Sequence, residues 1–167
     1  MGRKVAIIGA GSVGATVAYT LAVSGNAAEV VLIDINEKKA FGEAMDIRQG
    51  APYTAPINIY SGDYYDAVGA DLVILTSGIA RRPGQSRLDL AQTNVDIVKS
   101  IIPKITKAAP TAVYIIVSNP VDILTYVFCR RSGLPEKRII GTGTILDTAR
   151  FRSRLAENFS INMQNVH

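Results

Sequence analysis

A glycine-rich turn between a strand pattern and a helix pattern constrains the fold of this chain more than any other feature. The apolar run Val5–Ile8 leads directly into Gly9-Ala10-Gly11-Ser12-Val13-Gly14, and a helical pattern follows at about 13–25. A second apolar run ends in Asp34, which lies 20 residues after the third glycine. A strand, a G-x-G-x-x-G turn, a helix and an acid at this distance together indicate a unit that binds a dinucleotide.

Each glycine of this turn has its own physical role. Gly9 permits the tight turn, Gly11 lets the backbone approach a pyrophosphate, and Gly14 lets the helix pack closely on the strand. The helix N-terminus offers N–H groups and a positive dipole end to phosphates. Asp34 can accept hydrogen bonds from ribose hydroxyls and would repel a 2′-phosphate, which favours NAD over NADP. The alternative is a structural glycine turn in another α/β protein.

Strand and helix patterns alternate along the whole chain. The strand patterns are apolar and rich in β-branched residues, as expected for parallel strands covered on both faces. They lie at 4–8, 29–33, 57–60, 72–76, 113–117 and 139–140, and the helical patterns lie at about 13–25, 37–48, 88–108, 121–132 and 145–158. The alternation predicts an α/β fold with a doubly wound parallel sheet. Pro103 is expected to kink or divide the long helix.

Composition limits the function classes. The net charge of +4 is dispersed, with no run of Lys or Arg longer than two, so we expect an anionic small ligand and no nucleic acid. No apolar run is long enough to span a membrane, and no metal site is predicted. Cys129, the single cysteine, cannot form an internal disulfide. With a strand pattern that starts at residue 4 and leaves no room for a signal peptide, this predicts a cytoplasmic protein.

The end of the chain is unusual for a complete domain. Ser160 to Gln164 have the composition of a turn, and Val166-His167 resemble the first residues of a strand. A complete domain rarely ends as it enters an apolar strand. We therefore expect the chain to be part of a longer protein.

A polar loop is predicted to follow the fourth strand, from Thr76 to Arg87. It carries Arg81, Arg82 and Arg87 together with a Pro-Gly pair. In an open parallel sheet, ligands bind beyond the carboxyl ends of the strands, and arginine is suited to bidentate recognition of carboxylates. The loop is therefore predicted to be a mobile lid that grips an anion; the alternative is a solvated basic loop.

Two further polar segments are candidates for the site. Ser118-Asn119-Pro120-Val121-Asp122 follows the fifth strand, where the Asn119 amide could contact cofactor or substrate or could instead cap a helix. Asp147 and Arg150 are three residues apart and share a helix face, either as site residues or as an ordinary surface ion pair.

In combination, these motifs resemble those of the NAD-dependent L-lactate/malate dehydrogenase family, over essentially the whole chain. The shared motifs are the glycine turn, Arg81-Arg82-Pro83-Gly84-Gln85-Ser86-Arg87, Ser118-Asn119-Pro120-Val121-Asp122, and Gly141-Thr142-Gly143-Thr144 leading into Leu146-Asp147-Thr148-Ala149-Arg150. The resemblance implies a Rossmann-type NAD-binding domain at 1–144, the start of a truncated substrate domain at 145–167, and a missing C-terminal substrate domain. It implies hydride transfer between NADH and a small 2-oxo acid in the full-length protein, with this chain inactive alone.

The resemblance also implies roles for individual residues. Arg87 would close over the substrate and polarise its carbonyl, Arg150 would pair with the substrate carboxylate, and Asp147 would orient the catalytic histidine. Asn119 would touch both substrate and nicotinamide ribose, and Arg81 and Asp122 would belong to the substrate site. The implied cofactor contacts are Gly9, Gly11, Ser12, Val13, Gly14, Asp34, Lys39, Tyr65, Gly78, Ser100, Val117, Ser118, Asn119 and Thr142.

The histidine base of the family has no counterpart in this chain. His167, the only histidine, lies 20 residues after Asp147, which is short of the spacing in the family. It resembles instead a histidine that, with the arginine matching Arg152, binds fructose 1,6-bisphosphate in allosteric bacterial lactate dehydrogenases. A histidine with no ligand is the alternative.

Two sets of residues indicate different substrates. Arg81 occupies a position where malate dehydrogenases carry arginine and lactate dehydrogenases usually carry glutamine, whereas Gly141–Thr144, Arg152 and His167 resemble the lactate type. We favour lactate dehydrogenase and keep two alternatives, a malate dehydrogenase and a non-catalytic dinucleotide-binding module. The family also suggests a homo-oligomer, with a tetramer expected for the full-length protein.

Overall fold

Six parallel strands form one sheet in a computed structural model, which describes residues 2–80, 84 and 86–167. The strands are β1 (Lys4–Ile8), β2 (Glu29–Ile33), β3 (Asn58–Ser61), β4 (Leu72–Leu75), β5 (Val113–Ile116) and β6 (Ile139–Gly141). Their order in the sheet is β3-β2-β1-β4-β5-β6, and every neighbouring pair is parallel. This is the Rossmann-type strand order, so the predicted doubly wound sheet is confirmed.

Helices cover both faces of the sheet. They are α1 (Ser12–Ser24), α2 (Glu37–Gln49), α3 (Arg87–Ala108), α4 (Val121–Ser132) and α5 (Ile145–Phe159). Ala18 of α1 and Ala40 of α2 pack with one set of strand residues, and Val98 of α3 and Phe128 of α4 pack with the other. Strands buried on both faces explain the unbroken apolar runs in the sequence. No helix in the described ranges is long and apolar enough to cross a membrane.

Pro103 does not divide α3, which runs unbroken from Arg87 to Ala108. Proline removes one helical hydrogen bond to the carbonyl four residues earlier, here that of Lys99, and both residues lie on the exposed side of the helix. The opposite side is held by buried Ile101 and Ile105. Packing of the apolar face therefore maintains a helix that the sequence alone predicts to be interrupted.

The expected strand at Val166-His167 is absent from the described chain. After α5, Met163–Asn165 form a 3₁₀ turn, and Val166 has extended dihedral angles but pairs with no strand of the described sheet. A strand needs a hydrogen-bonded neighbour. Among the described residues, β6 lies at the edge of the sheet and pairs with β5 alone. The apolar Val166 next to His167 was therefore not sufficient to predict a strand.

A polar cluster joins the first three strands near the amino ends of β1 and β2. The Lys4 Nζ lies 2.9 Å from Glu29 Oε1, and the Tyr60 hydroxyl donates a 2.6 Å hydrogen bond to the same oxygen. The bond from Tyr60, followed by that from Lys4, holds the pKa of Glu29 below its ordinary value. Burial, followed by the bond to Glu29, raises the pKa of Tyr60. The cluster thus depends on an ionised Glu29.

Replacing Tyr60 with phenylalanine is expected to lower the free energy of unfolding by about 1–2 kcal/mol at neutral pH, because a bond to a charged acceptor is lost. A carboxyl whose pKa is depressed by folding stabilises the native state above its unfolded pKa, and this contribution is lost as pH falls through the folded value. The difference between wild type and Tyr60→Phe should therefore shrink below the ordinary glutamate pKa of about 4.3. Urea unfolding at several pH values measures it, with Tyr53→Phe, at a side chain that is 92% exposed, as the control. A pH-independent difference would contradict the assignment.

Candidate cofactor-binding site

The candidate site lies at the carboxyl edge of the sheet, where β1 separates β2 from β4. From β1 the chain proceeds outward to β2 and β3 on one side and, after returning, to β4, β5 and β6 on the other. Connections that leave in opposite directions open a crevice beyond the strand ends, which is where ligands bind in sheets of this kind. The glycine turn follows β1 and therefore faces this crevice.

The three glycines of the turn differ in what surrounds them. Gly9 has a φ of +110°, and a Cβ there would lie 2.8 Å from the Ser77 nitrogen. A Cβ on Gly14 would collide with the Gly9 carbonyl oxygen. A Cβ on Gly11 would meet nothing within 4 Å among the described residues. Gly9 and Gly14 are thus required by the protein itself, whereas Gly11 leaves open space that a ligand could fill.

The N-terminus of α1 is free to bind an anion. Gly11 is its N-cap and offers no side chain to the first turn, which also lacks an acidic residue. The first N–H groups of a helix have no partner within the helix, and they add to the positive end of the helix dipole. The residues present therefore fit a pyrophosphate, with Ser12 and Val13 beside it; the Val13 side chain is exposed.

Asp34 follows β2 directly and already has two partners. Its carboxylate accepts hydrogen bonds from the Ala10 N–H at 2.7 Å and from the Asn36 N–H at 2.8 Å. The side chain is half-buried. Each carboxylate oxygen can accept more than one hydrogen bond, so Asp34 can hold the glycine turn and still receive a ribose hydroxyl. The bond to Ala10 is a role that the sequence did not reveal.

Hydroxyl side chains tie the neighbouring strand ends together. Thr76 donates to the Gly9 carbonyl at 2.9 Å, Ser118 donates to the Ser77 carbonyl at 2.6 Å, and Thr142 donates to the Ile116 carbonyl at 3.1 Å. Ser118 and Thr142 were predicted as cofactor contacts, and their hydroxyls are engaged within the protein. These bonds connect the loops that follow β1, β4, β5 and β6 into one rim at the carboxyl edge.

The other predicted cofactor residues lie on several elements. Lys39 is in the first turn of α2, Tyr65 is 79% exposed in the 3₁₀ turn after β3, and Gly78 and Val117 follow β4 and β5. Ser100 does not follow a strand but lies within α3, where its hydroxyl donates to the Ile97 carbonyl at 2.7 Å. The roles of these residues toward NAD stay predictions.

The arginine loop is only partly described. Arg81 lies outside the described residues, and so does the Arg87 side chain, although Arg87 is the first residue of α3. The helix starts at a capping box in which Ser86 and Asp89 bind each other's backbone N–H groups. The capping box fixes the point at which the loop ends and α3 begins, so the backbone of Arg87 is held as the first residue of a helix.

The loop after β5 places Asn119 and Asp122 near the start of α4. Asn119 is exposed, and because Pro120 is the N-cap, the Asn119 side chain does not cap the helix. Asp122 is exposed in the first turn, and a Cβ on Gly143 would lie 2.6 Å from its Oδ1. Both side chains are therefore at the carboxyl edge and available to a ligand.

Asp147 and Arg150 form an ion pair on α5, with Arg150 Nη1 3.1 Å from Asp147 Oδ1. Their shared helix face is confirmed, and both side chains are more than half exposed. Exposed pairs of this kind contribute little to stability, about 0–1 kcal/mol. The pair therefore leaves both charged groups free to bind elsewhere at small cost.

Arg152 and His167, the suggested effector residues, are not joined by a hydrogen bond in the described chain. Arg152 Nη2 donates to the Met163 carbonyl at 3.4 Å, and its buried Nε has no partner among the described residues. His167 is exposed. The arginine thus packs against the turn that precedes the histidine, without forming a shared site.

Two surface grooves lie away from the glycine turn. One groove of about 620 Å³ is lined by residues of α5 and Met163, and another of about 520 Å³ lies between α4 and β6. Both are shallow. The glycine turn is an open edge, where charge and backbone N–H groups rather than enclosure would hold a ligand.

One residue of this region was missed in the sequence. Asn94 is 2% exposed, and its amide bonds the loops after β4 and β5. It stands on the inner face of α3, four residues before the buried Val98. A polar residue inside an apolar stripe with helical spacing is a signal that could have identified it.

The sequence also matches a family model described as lactate/malate dehydrogenase, NAD binding domain, over residues 3–141. The chain belongs to this family. The matched domain makes NAD the cofactor. The match covers all six strands and ends at the last residue of β6.

Named relatives agree with this assignment. An L-lactate dehydrogenase from Thermoanaerobacter sp. (strain X514) is 53% identical over 165 residues, which are 99% of this chain and 53% of the relative. The crystal structure of the minor L-lactate dehydrogenase from Enterococcus mundtii has a TM-score of 0.95 at 44% identity, over 99% of this chain and 53% of that one. Malate dehydrogenase from Picrophilus torridus has a TM-score of 0.92 at 38% identity, over 98% and 53%. The chain therefore spans about half the length of the relatives it matches.

Proposed function

We propose that this chain is the NAD-binding half of an NAD-dependent L-lactate dehydrogenase that transfers a hydride between NADH and pyruvate. The observation that carries the proposal is the glycine turn, with open space over Gly11 at an uncapped helix N-terminus and Asp34 beside it. The relatives named L-lactate dehydrogenase support pyruvate as the substrate.

Each residue of the site would have a separate role toward the cofactor or the substrate. The first N–H groups of α1 would bind the pyrophosphate, Asp34 would accept the adenosine ribose hydroxyls, and Asn119 would contact nicotinamide ribose and substrate. NAD supplies the hydride chemistry when it is bound, and the protein supplies orientation and charge. Arg87 would polarise the substrate carbonyl, Arg150 would bind the substrate carboxylate, and Asp147 would orient a histidine that this chain does not contain.

We propose that a second structural unit begins at residue 145, after a cofactor domain of residues 1–144. Support comes from α5, whose large apolar side chains are mostly exposed although Ala156 is buried. Ile145, Phe151 and Phe159 are each about two-thirds exposed, at 64–65%. Apolar surface of this extent favours packing against further protein, which the second half of a dehydrogenase would provide.

A homo-oligomer, a bisphosphate effector and a cytoplasmic location complete the proposal. Tyr19 and Val23 of α1 and Phe41 of α2 are large apolar residues that are each more than half exposed. This supports a homo-oligomer, with a tetramer suggested by the family. Arg152 and His167 are kept as candidate ligands of fructose 1,6-bisphosphate. A single cysteine supports a cytoplasmic location.

The isolated chain is expected to bind NADH and to turn over neither pyruvate nor oxaloacetate. The cofactor site is present, but the chain lacks the histidine base at the family's spacing, and acid–base catalysis alone contributes roughly 10²–10⁴ in rate. Calorimetric titration with NADH and an absorbance assay with each 2-oxo acid test the two halves. Turnover by the purified chain, or no binding of NADH, would contradict the proposal. If the full-length protein binds NADH but turns over neither 2-oxo acid, the result would favour a non-catalytic dinucleotide-binding module.

A malate dehydrogenase is the second candidate, because arginine stands at position 81. A guanidinium facing the second carboxylate of oxaloacetate forms a bidentate, charge-assisted pair, whereas one facing the methyl group of pyruvate gains nothing. Bonds to charged groups contribute about 1.5–3 kcal/mol. In the full-length enzyme, Arg81→Gln should therefore raise kcat/KM for pyruvate relative to oxaloacetate by about ten- to a hundred-fold. An unchanged ratio would remove the argument from Arg81.

A further inference from the structure

Asn94 is the one side chain on α3 that bonds two loops of the carboxyl rim at once, among the described residues. Its Oδ1 accepts a hydrogen bond from the Ile79 N–H at 2.9 Å, and its Nδ2 donates to the Asn119 carbonyl at 2.7 Å. We propose that Asn94 is a positioning residue that sets the distance between these loops, and so shapes the part of the site that receives the nicotinamide end of NADH. This inference rests on the proposed cofactor-binding function.

The geometry requires an amide at this position. The same Nδ2 lies 3.4 Å from the Ile79 carbonyl, so Asn94 meets both polar groups of that residue. Asparagine offers an acceptor and a donor on one short side chain, which an aspartate or an apolar residue cannot do. A Cβ on Gly78 would lie 3.2 Å from Asn94 Oδ1, so the loop backbone passes directly over the amide.

Two side chains connect these loops at different distances from the ends of the strands. Ser118 donates to the Ser77 carbonyl and joins the two loops only two residues beyond the ends of β4 and β5. Asn94 acts further out, on Ile79 and Asn119, which lead into the arginine loop and into α4. The glycine turn and Asp34, by contrast, belong to β1 and β2 and do not contact Asn94 through any hydrogen bond of the described residues. Asn94 therefore acts on one half of the site only.

This asymmetry predicts a selective loss of binding. ADP has the adenosine and the pyrophosphate of NADH but lacks both the nicotinamide and the ribose that Asn119 would contact. Asn94→Ala leaves the Ile79 N–H and the Asn119 carbonyl without their partner, and Asn94→Asp keeps the acceptor but replaces the donor by a carboxylate. Both variants should weaken NADH binding about ten-fold and ADP binding less than about two-fold. The emission maximum of bound NADH should shift toward that of free NADH.

Tyr114→Phe is the matched control. Tyr114 is also buried between α3 and β5, but its hydroxyl donates to the Ile105 and Ala109 carbonyls at the far end of the helix. This variant should lower Tm and leave the ratio of the NADH and ADP affinities unchanged.

The outcomes separate the inference from the function it rests on. If the wild-type chain binds neither ligand, the proposed function fails and the inference falls with it. If the wild type binds both and the Asn94 variants weaken both equally, or neither, Asn94 is only a core residue and the inference is overturned. A selective loss in the folded Asn94→Asp variant supports it even where Asn94→Ala does not fold.

Discussion

Gly11→Ala is expected to weaken NADH binding by about ten- to a hundred-fold and to lower the stability of the free chain by no more than about 1 kcal/mol, since alanine is a poorer N-cap than glycine. The new Cβ meets nothing within 4 Å among the described residues, so folding carries no steric penalty. It does occupy the space that the pyrophosphate would approach, and forced contacts of this kind cost roughly 1–3 kcal/mol. Titration calorimetry and urea unfolding on the same preparation measure the two effects.

The neighbouring variant Gly14→Ala should behave differently. Its Cβ would collide with the Gly9 carbonyl oxygen, which is backbone and cannot rotate away. The gain of about 1 kcal/mol from the higher helix propensity of alanine does not offset a clash worth about 3 kcal/mol or more. Stability and binding should therefore fall together.

Gly42→Ala is the matched control for both glycine variants. Gly42 lies in α2, and a Cβ there has nothing within 4 Å in the described chain. This variant should gain about 1 kcal/mol in stability and bind NADH as wild type does. If Gly11→Ala also binds as wild type does, the pyrophosphate does not lie over Gly11 and the site is wrongly placed.

Asp34→Ser is expected to reduce the preference for NADH over NADPH by about a hundred-fold or more. Two charge-assisted bonds to ribose hydroxyls would be lost, each worth about 1.5–3 kcal/mol, and repulsion of a 2′-phosphate would be relieved. Parallel titrations with NADH and NADPH give the ratio. Asp46→Ser, which removes the same charge from an exposed position on α2, should leave the ratio unchanged. A ratio that is equal in Asp34→Ser and wild type would contradict the assignment of Asp34.

The Asp34 variant should also be less stable. The bonds from Ala10 and Asn36 to its carboxylate exist without any ligand, and losing them should cost about 1–3 kcal/mol. Saturating NADH stabilises a protein that binds it, so thermal shifts measured with and without cofactor separate the structural effect from the binding effect.

The backbone of this fold could be predicted because its signals are local. Strand segments such as 30–33 are continuous apolar runs, since both faces are buried. The glycine turn between β1 and α1 marks a sharp reversal with few alternatives. The same turn and Asp34 located the candidate site. Pro103 and Val166 were misjudged because tertiary packing and strand pairing, rather than local preference, decide their structure.

Side-chain contacts across the rim could not be predicted in the same way. The bond from the Ala10 N–H to Asp34 joins residues 24 positions apart, and the bonds of Asn94 to Ile79 and Asn119 join residues at least 15 positions apart. No spacing rule relates these residues. Ser118 illustrates the consequence, since a residue predicted as a cofactor contact uses its hydroxyl to bond the Ser77 carbonyl. A position at a strand end predicts proximity to the ligand, but it does not predict which group the side chain will bond.

The most direct test of the central claim is amide chemical-shift mapping of the ¹⁵N-labelled chain during titration with NADH. If the dinucleotide lies across the glycine turn, the largest changes should occur at the amides of Gly11, Ser12 and Val13 and beside Asp34, followed by Gly78 and Asn119. Ser160 and Met163, after α5, should not respond. Changes concentrated at α5 or in the groove between α4 and β6, with Gly11 to Val13 unmoved, would contradict the account.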